Sequence, residues 1–384
     1  MDAEQFELVR QSVRGFIRSE VVPLEAEIDE SDEIPSRIRD AAARMGLFGF
    51  AIPEEFGGLG FGMVEDVRLA FEMGYTTPAF RSMFSSNNGL AGQVLVWQGT
   101  PEQQRRYLPK ISSGEFIAAF GLTEPEAGSD PHSMRTTAVA DGDGYVITGS
   151  KRFITNAPVA DIFVVFAKTD HEAPHGGGIS AFLVERGTPG LTVGPRDKKM
   201  GQHGAWTSEI FFDRMRVGKD ALVGGEEGRG FNWAMRSLSR GRLHIAAICV
   251  GMAQRLLEES ARYASERKQF GQPIGAFQLV QGLLADSQTE LYAGKTLVLD
   301  AAGKFESGGE TRIGPSCAKY FCSEMVGRIA DRAVQIFGGS GYMRGTVVER
   351  MYRDARLFRL YEGTSQIQQV IIGRHLVKSG PLAV

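Results

Sequence analysis

The octapeptide Tyr361-Glu362-Gly363-Thr364-Ser365-Gln366-Ile367-Gln368 sets a carboxylate where a helix is about to begin. Ile367, Val370 and Ile371 recur at helical spacing, which puts them on one face. Gly363 and Thr364 fall at the N-cap, so the first free backbone N–H groups should open beside Glu362. A carboxylate so placed can take a proton from a substrate while nearby N–H groups polarise a carbonyl or hold a phosphate. On these residues alone a surface turn with a solvated glutamate is the simpler reading. The rest of the chain decides.

Other stretches carry residues of similar promise. Phe120-Gly121-Leu122-Thr123-Glu124-Pro125-Glu126-Ala127-Gly128-Ser129-Asp130 runs from a strand-like entry into a polar turn. Its main chain and the hydroxyls of Thr123 and Ser129 suit a flat heteroaromatic ring and a pyrophosphate, and an ordinary capped β-turn fits equally. Lys151-Arg152-Phe153-Ile154-Thr155-Asn156 offers an aromatic for stacking and a Thr for a ring edge, and also reads as an alternating strand. In Glu266-Arg267-Lys268-Gln269-Phe270-Gly271, followed by Phe277-Gln278, Arg267 either neutralises a phosphate or belongs to a charged helix end closed by Gly. The glycines of Gln335-Ile336-Phe337-Gly338-Gly339 follow a helical pattern. A nicotinamide-binding loop would follow a strand, so no such fingerprint is present. Arg242 interrupts an apolar seam between Leu238 and Ile245, and a charge on a buried stripe needs a partner or a ligand.

Composition narrows the class. The chain has 384 residues, 42% of them hydrophobic and 23% charged, with a formal charge of -3. That describes a soluble globular protein of two or three domains with no electrostatic footprint for nucleic acid. The three cysteines, Cys249, Cys317 and Cys322, lie in apolar helical patterns without a C-x-x-C pair, which argues against disulfides and a zinc site. The start is acidic without an apolar signal core, and no apolar run is long enough for a bilayer. A reduced, cytoplasmic protein without a metal is expected.

These residues must be positioned by elements of two textures. Residues 1–116 read as helical. Phe6, Val9, Val13, Phe16 and Ile17 mark a first helix that Pro23 ends or kinks, and Ser36 is expected to cap a second. One helix is expected over Ser82–Trp97, and another from Pro101 with Thr100 as cap. Residues 117–225 alternate short β-rich runs with Gly, Pro and Asp turns, as in a small antiparallel barrel or sandwich. Residues 226–384 return to long helices, expected to form a four-helix bundle. The whole is a segregated α+β protein and not a doubly wound one.

Taken together, Pro53-Glu54-Glu55-Phe56-Gly57-Gly58, Thr123 through Asp130, Ile154-Thr155-Asn156, Glu266 through Gly271, Gln335 through Gly339 and Tyr361 through Gln366 resemble the acyl-CoA dehydrogenase family, collinearly and along essentially the whole chain. The resemblance implies an N-terminal helical domain, a middle β-barrel, a C-terminal four-helix bundle, non-covalent FAD and a homotetramer built as a dimer of dimers. It implies that Phe120, Leu122, Thr123, Gly128 and Ser129, with Phe153, Ile154 and Thr155, hold the isoalloxazine and adjoining FAD groups. It assigns Arg267, Phe270, Gln278, Gln335, Ile336, Phe337, Gly338 and Gly339 to the diphosphate and adenine, partly across a subunit interface, with Thr364 and Gln366 completing the site. Ser129, Ser239, Arg242, Gly363 and Arg374 match positions near the acyl-CoA.

The implied chemistry gives Glu362 its role. Hydrogen bonds to the thioester oxygen, in the family from an FAD ribityl hydroxyl and the backbone N–H of the glutamate, lower the barrier to losing the alpha proton. Glu362 takes that proton, a hydride leaves the beta carbon for flavin N5, and a trans-2-enoyl-CoA results. Electrons then pass to an electron-transfer flavoprotein. Some members carry the base on the long helix instead, where this chain has Gly241, so Glu362 is assigned alone. Gly241 is also expected to leave room for a branched or bulky acyl group. A flavin oxidase acting on acyl-CoA or nitroalkane, or a non-catalytic helical scaffold, are the alternatives.

Overall fold

The computed structural model describes residues 2–173 and 177–382. The N-terminal third comprises α1 (Ala3–Phe16), α2 (Glu25–Ser31), α3 (Ser36–Arg44), α4 (Met63–Met73), α5 (Pro78–Asn88), α6 (Ala91–Gln98) and α7 (Pro101–Ser113). A capping box of Asp2 with Gln5 opens α1. A π-turn at Ile17–Val21 and a single 3-10 turn holding Pro23 carry the chain into α2, so the proline bends the path where its missing N–H demands it. Thr100 caps α7 as its sequence predicts, in a capping box with Gln103.

Two helix expectations need correction. Ser36 is the first residue of α3 and makes no cap; Pro35 holds the N-cap position without a side-chain bond. Ser82–Trp97 is two helices, broken at Gly89-Leu90. The break follows from buried amides. Asn88 accepts from the Ala51 N–H and donates to the Leu47 and Phe84 carbonyls, while Asn87 donates to Ile111 and Phe116 and accepts from Ala118. These bonds stitch the end of α5 to three separate segments, which helix propensity does not register.

Strands β1 (Ala118–Gly121), β2 (Thr137–Asp141), β3 (Gly144–Thr155), β4 (Ile162–Lys168), β5 (Ile179–Glu185), β6 (Leu191–Val193) and β7 (Thr207–Gly218) form one curled sheet. Its order is β1-β4-β2-β3-β7-β6, with β5 on β4. Most pairings are antiparallel, but β1 runs parallel to β4, and β2 meets β4 in parallel at its end. The register of β3 against β7 breaks between Lys151 and Ile154. That bulge turns Phe153 out of the ladder at φ 59°, leaving it 61% exposed.

The C-terminal helices are α8 (Gly230–Glu266), α9 (Gln278–Glu306), α10 (Ile313–Phe337), α11 (Gly339–Tyr342), α12 (Val347–Ala355) and α13 (Ser365–Ser379). α10 packs on α8, α9 and α13. The principal core joins Phe6, Val13, Phe50 and Phe84 of the first third to Leu243, Ile245, Cys249 and Leu256 of α8, so the two helical regions share one interior. The inner face of the sheet has its own core around Phe163, Val165 and Phe182. Its other face packs Ile162, Val164 and Phe166 against α6, α7 and the start of α8. Among the described residues no helix is long and apolar enough to cross a membrane.

Candidate active site

A cavity of about 1120 Å³ opens where β1 and β3, α5, the first half of α8 and the turn before α13 converge. Glu362 stands in its wall. Its side chain is 8% exposed, while the residue as a whole is only partly buried. The turn that presents it is unusual backbone: Glu362 has φ 54° and Gly363 φ 91°. A left-handed residue other than glycine needs surroundings that hold it. Here three buried side chains do so. Lys319 Nζ donates to the Gly363 carbonyl at 2.7 Å. Gln368 donates to the Glu362 and Gly363 carbonyls at 3.2 and 3.0 Å, and Arg242 to the Glu362 carbonyl at 3.3 Å. Thr364 then caps α13 by accepting from the Ile367 N–H.

Burial raises the pKa of Glu362 above the usual carboxylate value, and the basic side chains around it, Arg81 foremost, pull the other way. Arg81 is the nearest cation, its Nη2 3.8 Å from Oε1. Oε2 is buried without a hydrogen-bond partner among the described residues. A Cβ built on Gly241 would lie 2.3 Å from that oxygen. The space beside Gly241 is therefore filled by the Glu362 carboxylate, which corrects the expectation that it admits a bulky acyl group.

Phe120, Leu122, Thr123, Gly128 and Ser129, with Phe153, Ile154 and Thr155, all line the same cavity. So do Ser239, Arg242, Gly363 and Arg374. The hydroxyls of Thr123, Ser129 and Thr155 make no hydrogen bond among the described residues and stand free for a ligand. The turn that carries Thr123 to Ser129 is held by a buried ion pair. Lys151 Nζ donates to Glu124 Oε1 at 2.7 Å, and Glu124 also accepts from the Arg135 and Thr136 N–H groups. Burial drives Lys151 down to about 8. For Glu124 burial acts upward, but Lys151 and the backbone donors outweigh it and hold the carboxyl below its usual value.

The remaining predicted residues do not line this cavity. Arg267 follows α8, Phe270 sits in the short hairpin after it, and Gln278 is the first residue of α9. Gln335, Ile336 and Phe337 end α10, and Gly338 and Gly339 follow. Tyr263 stacks on Phe337 at 4.1 Å, which brings the ends of α8 and α10 together. Phe270 is 92% exposed. Thr364 and Gln366 also lie outside the cavity lining. Sequence reasoning missed Arg81, Lys319 and Gln368, and the group Asp66, Arg240 and His244. Each is a polar residue within an apolar helical pattern, the signal that had singled out Arg242. Among the described residues no group of His, Cys, Asp and Glu is placed to hold a metal ion.

Comparison with known proteins places the chain. Residues 3–115 match the acyl-CoA dehydrogenase N-terminal domain, residues 119–215 its middle domain and residues 228–377 its C-terminal domain. The chain is 42% identical over 377 residues to the caffeyl-CoA reductase–Etf complex subunit CarC of Acetobacterium woodii, covering 98% of this chain and 99% of that one. It is 40% identical over 375 residues to a 3-(aryl)acrylate reductase of Clostridium sporogenes, again covering 98% and 99%. The crystal structure of an acyl-CoA dehydrogenase from Geobacillus kaustophilus superposes with a TM-score of 0.93 at 34% identity, covering 98% of both chains. Agreement of this extent, in all three segments and in their order, makes the chain a member of the acyl-CoA dehydrogenase family, oxidoreductases that act on CH–CH bonds.

Proposed function

We propose that the chain is an FAD-dependent enzyme that removes the alpha and beta hydrogens of an acyl-CoA thioester, with Glu362 as the alpha-proton base. The observation that carries this reading is the buried Glu362 carboxylate, packed against Gly241 with Oε2 unpartnered, in the wall of a cavity of about 1120 Å³. The residues fit a flavin. An exposed aromatic at positive φ and three free hydroxyls line the wall shared with Glu362. Bound FAD supplies the hydride acceptor.

The chain's own groups do the rest. Burial brings the Glu362 carboxyl closer in acidity to a thioester's alpha proton, so proton transfer is less uphill. Arg81, the nearest cation, favours its ionised form, which is the base. The turn bonds from Lys319, Gln368 and Arg242 fix where its oxygens and its N–H point, and that N–H is assigned the thioester oxygen. Ser239 and Arg242 flank the acyl group, and Arg374 offers a cation to the CoA portion. Arg267, Phe270, Gln278 and the Gln335–Gly339 turn complete the flavin site from another copy of the chain, as part of a dimer-of-dimers tetramer. An electron-transfer flavoprotein takes the electrons, in keeping with a relative named as part of an Etf complex.

A second reading reverses the reaction. Both sequence relatives described above are named as reductases, and a carboxyl whose pKa is raised by burial also suits a proton donor to the alpha carbon.

The test is the visible spectrum of purified protein during anaerobic addition of short, branched, medium and long acyl-CoA thioesters. Bleaching of a yellow sample by one thioester supports dehydrogenation. Faster reoxidation of the reduced protein by an enoyl thioester favours the reductase direction. A yellow sample that no acyl thioester bleaches, and whose reduced form no enoyl thioester reoxidises, overturns both in favour of a flavin oxidase or another flavoenzyme. Colourless protein that cannot be reconstituted with FAD points to a scaffold. Glu362→Gln should keep the flavin and the thioester yet slow bleaching by about 100- to 10,000-fold.

A further inference from the structure

We propose that the inner end of the cavity is a polar subsite, in which His244 Nε2, aimed by Asp66, accepts a hydrogen bond from a hydroxyl carried by the acyl group. The proposal rests on the acyl-thioester reading above and concerns which acyl group is taken.

Three observations carry it. Along α8 the cavity lining passes from exposed Asn232 and Arg236 to buried Gly241 and His244, so His244 marks the closed end. It stands three residues, a rise of about 4.5 Å, beyond Gly241, against which the Glu362 carboxylate packs. The imidazole is fixed in orientation. Nδ1 lies 2.6 Å from Asp66 Oδ1, Arg240 Nη2 donates to Oδ2 at 2.8 Å, and Phe50 lies nearly parallel to the ring at 6.3 Å. Finally, His244 is 7% exposed, and its Nε2 is buried with no partner among the described residues.

The tautomer follows from the partners. Asp66 is paired with Arg240, and although burial acts against its charge, that pairing and the hydrogen bond from His244 hold the carboxyl below its usual value. An ionised carboxylate only accepts, so Nδ1 is the ring nitrogen that carries the proton in the neutral tautomer, and Nε2 is then the acceptor left for a ligand. A purely structural role does not need this. The Asp66–Arg240 pair ties α4 to α8 and His244 Nδ1 serves Asp66 Oδ1, but neither bond uses Nε2, which stays buried and unsatisfied. A ligand hydroxyl satisfies it, and a methyl in the same place does not.

The experiment uses the holoenzyme and thioesters matched in size. ω-Hydroxybutanoyl-, ω-hydroxypentanoyl-, ω-hydroxyhexanoyl- and hydroxyphenylpropanoyl-CoA are each compared with the thioester in which a methyl replaces the hydroxyl. Binding is read by calorimetry and turnover by anaerobic flavin reduction. At one length or more the hydroxyl member should bind at least about tenfold tighter. His244→Leu should abolish or invert that ratio, and His244→Gln, which keeps an acceptor, should restore part of it. Equal binding within every pair overturns the subsite, as does a preference that survives in His244→Leu. If His244→Leu does not fold, the wild-type pairs and His244→Gln still decide. Bleaching with equal pairs removes the subsite and leaves the dehydrogenase reading. A hydroxyl preference in calorimetry without bleaching does the opposite, and thioesters that neither bind nor bleach remove both.

Discussion

Gly241 and Glu362 form one steric unit. Any side chain at 241 begins with a Cβ 2.3 Å from Oε2, so the carboxylate would have to move. Gly241→Ala should therefore keep FAD content and melting temperature near wild type while flavin reduction slows about 100-fold, the usual penalty for displacing a reacting group by about 1 Å. Unchanged turnover would show that Glu362 is not held against this face during the reaction. Arg81 makes a second prediction. Dehydrogenation needs the carboxylate, so kcat/KM should fall as pH drops through the Glu362 pKa, which burial has raised. Removing the nearest cation raises that pKa further. In Arg81→Gln the acidic limb of the pH profile should move to higher pH, and a limb that stays in place would take Arg81 out of the base's environment. Glu362 was legible in the sequence because a short turn motif carries it. Arg81, Asp66 and His244 were not, because burial, not spacing, gives them their character, and burial depends on α4, α5 and α8 meeting.

At the scale of elements, turns held by buried polar side chains aim the site, and helix and strand interiors do less of that work. The Thr123–Ser129 turn rests on the Lys151–Glu124 pair, whose side chains are 0% and 5% exposed. Removing one partner leaves an uncompensated charge in the interior. Lys151→Met should destabilise the protein by about 3–5 kcal/mol, seen as a lower melting temperature and a weaker hold on FAD. Adding Glu124→Gln should recover part of the loss, because the stranded charge is gone. If the double variant melts no higher than the single, the pair's contribution lies elsewhere. The long helices and the strands of the middle segment were readable from periodicity, and so were the caps at Thr100 and Thr364. The split between α5 and α6 was not, since it depends on Asn87 and Asn88 bonding to chain distant in sequence. Nor was the parallel pairing of β1 with β4, because strand patterns do not specify partners.

At the scale of the molecule, one helical core spans the two ends of the chain, and the sheet brings its edge to that core at the cavity. This leaves a second surface unexplained by the monomer. Of the 29 residues of α9, six are buried, few for a helix of a bundle. Leu279 on α9 is 87% exposed, Tyr292 73%, Phe270 on the adjoining hairpin 92% and Tyr342 at the end of α11 84%. Large apolar side chains exposed in this number are characteristic of a surface that another molecule covers. The residues proposed for the FAD diphosphate and adenine lie at the ends of α8, α9 and α10, Phe270 among them, and none lines the cavity. Association and cofactor binding should therefore be linked. Phe270→Glu places a charge where an apolar contact is expected, so it should shift the sedimentation profile toward smaller species. It should also lower the FAD retained per chain after gel filtration, with each loss offset by the other's remedy: added FAD should restore assembly, and high protein concentration should restore FAD. A variant that remains fully assembled, or one that dissociates while keeping its full FAD, would separate the two and place the distal half of the flavin site within a single chain.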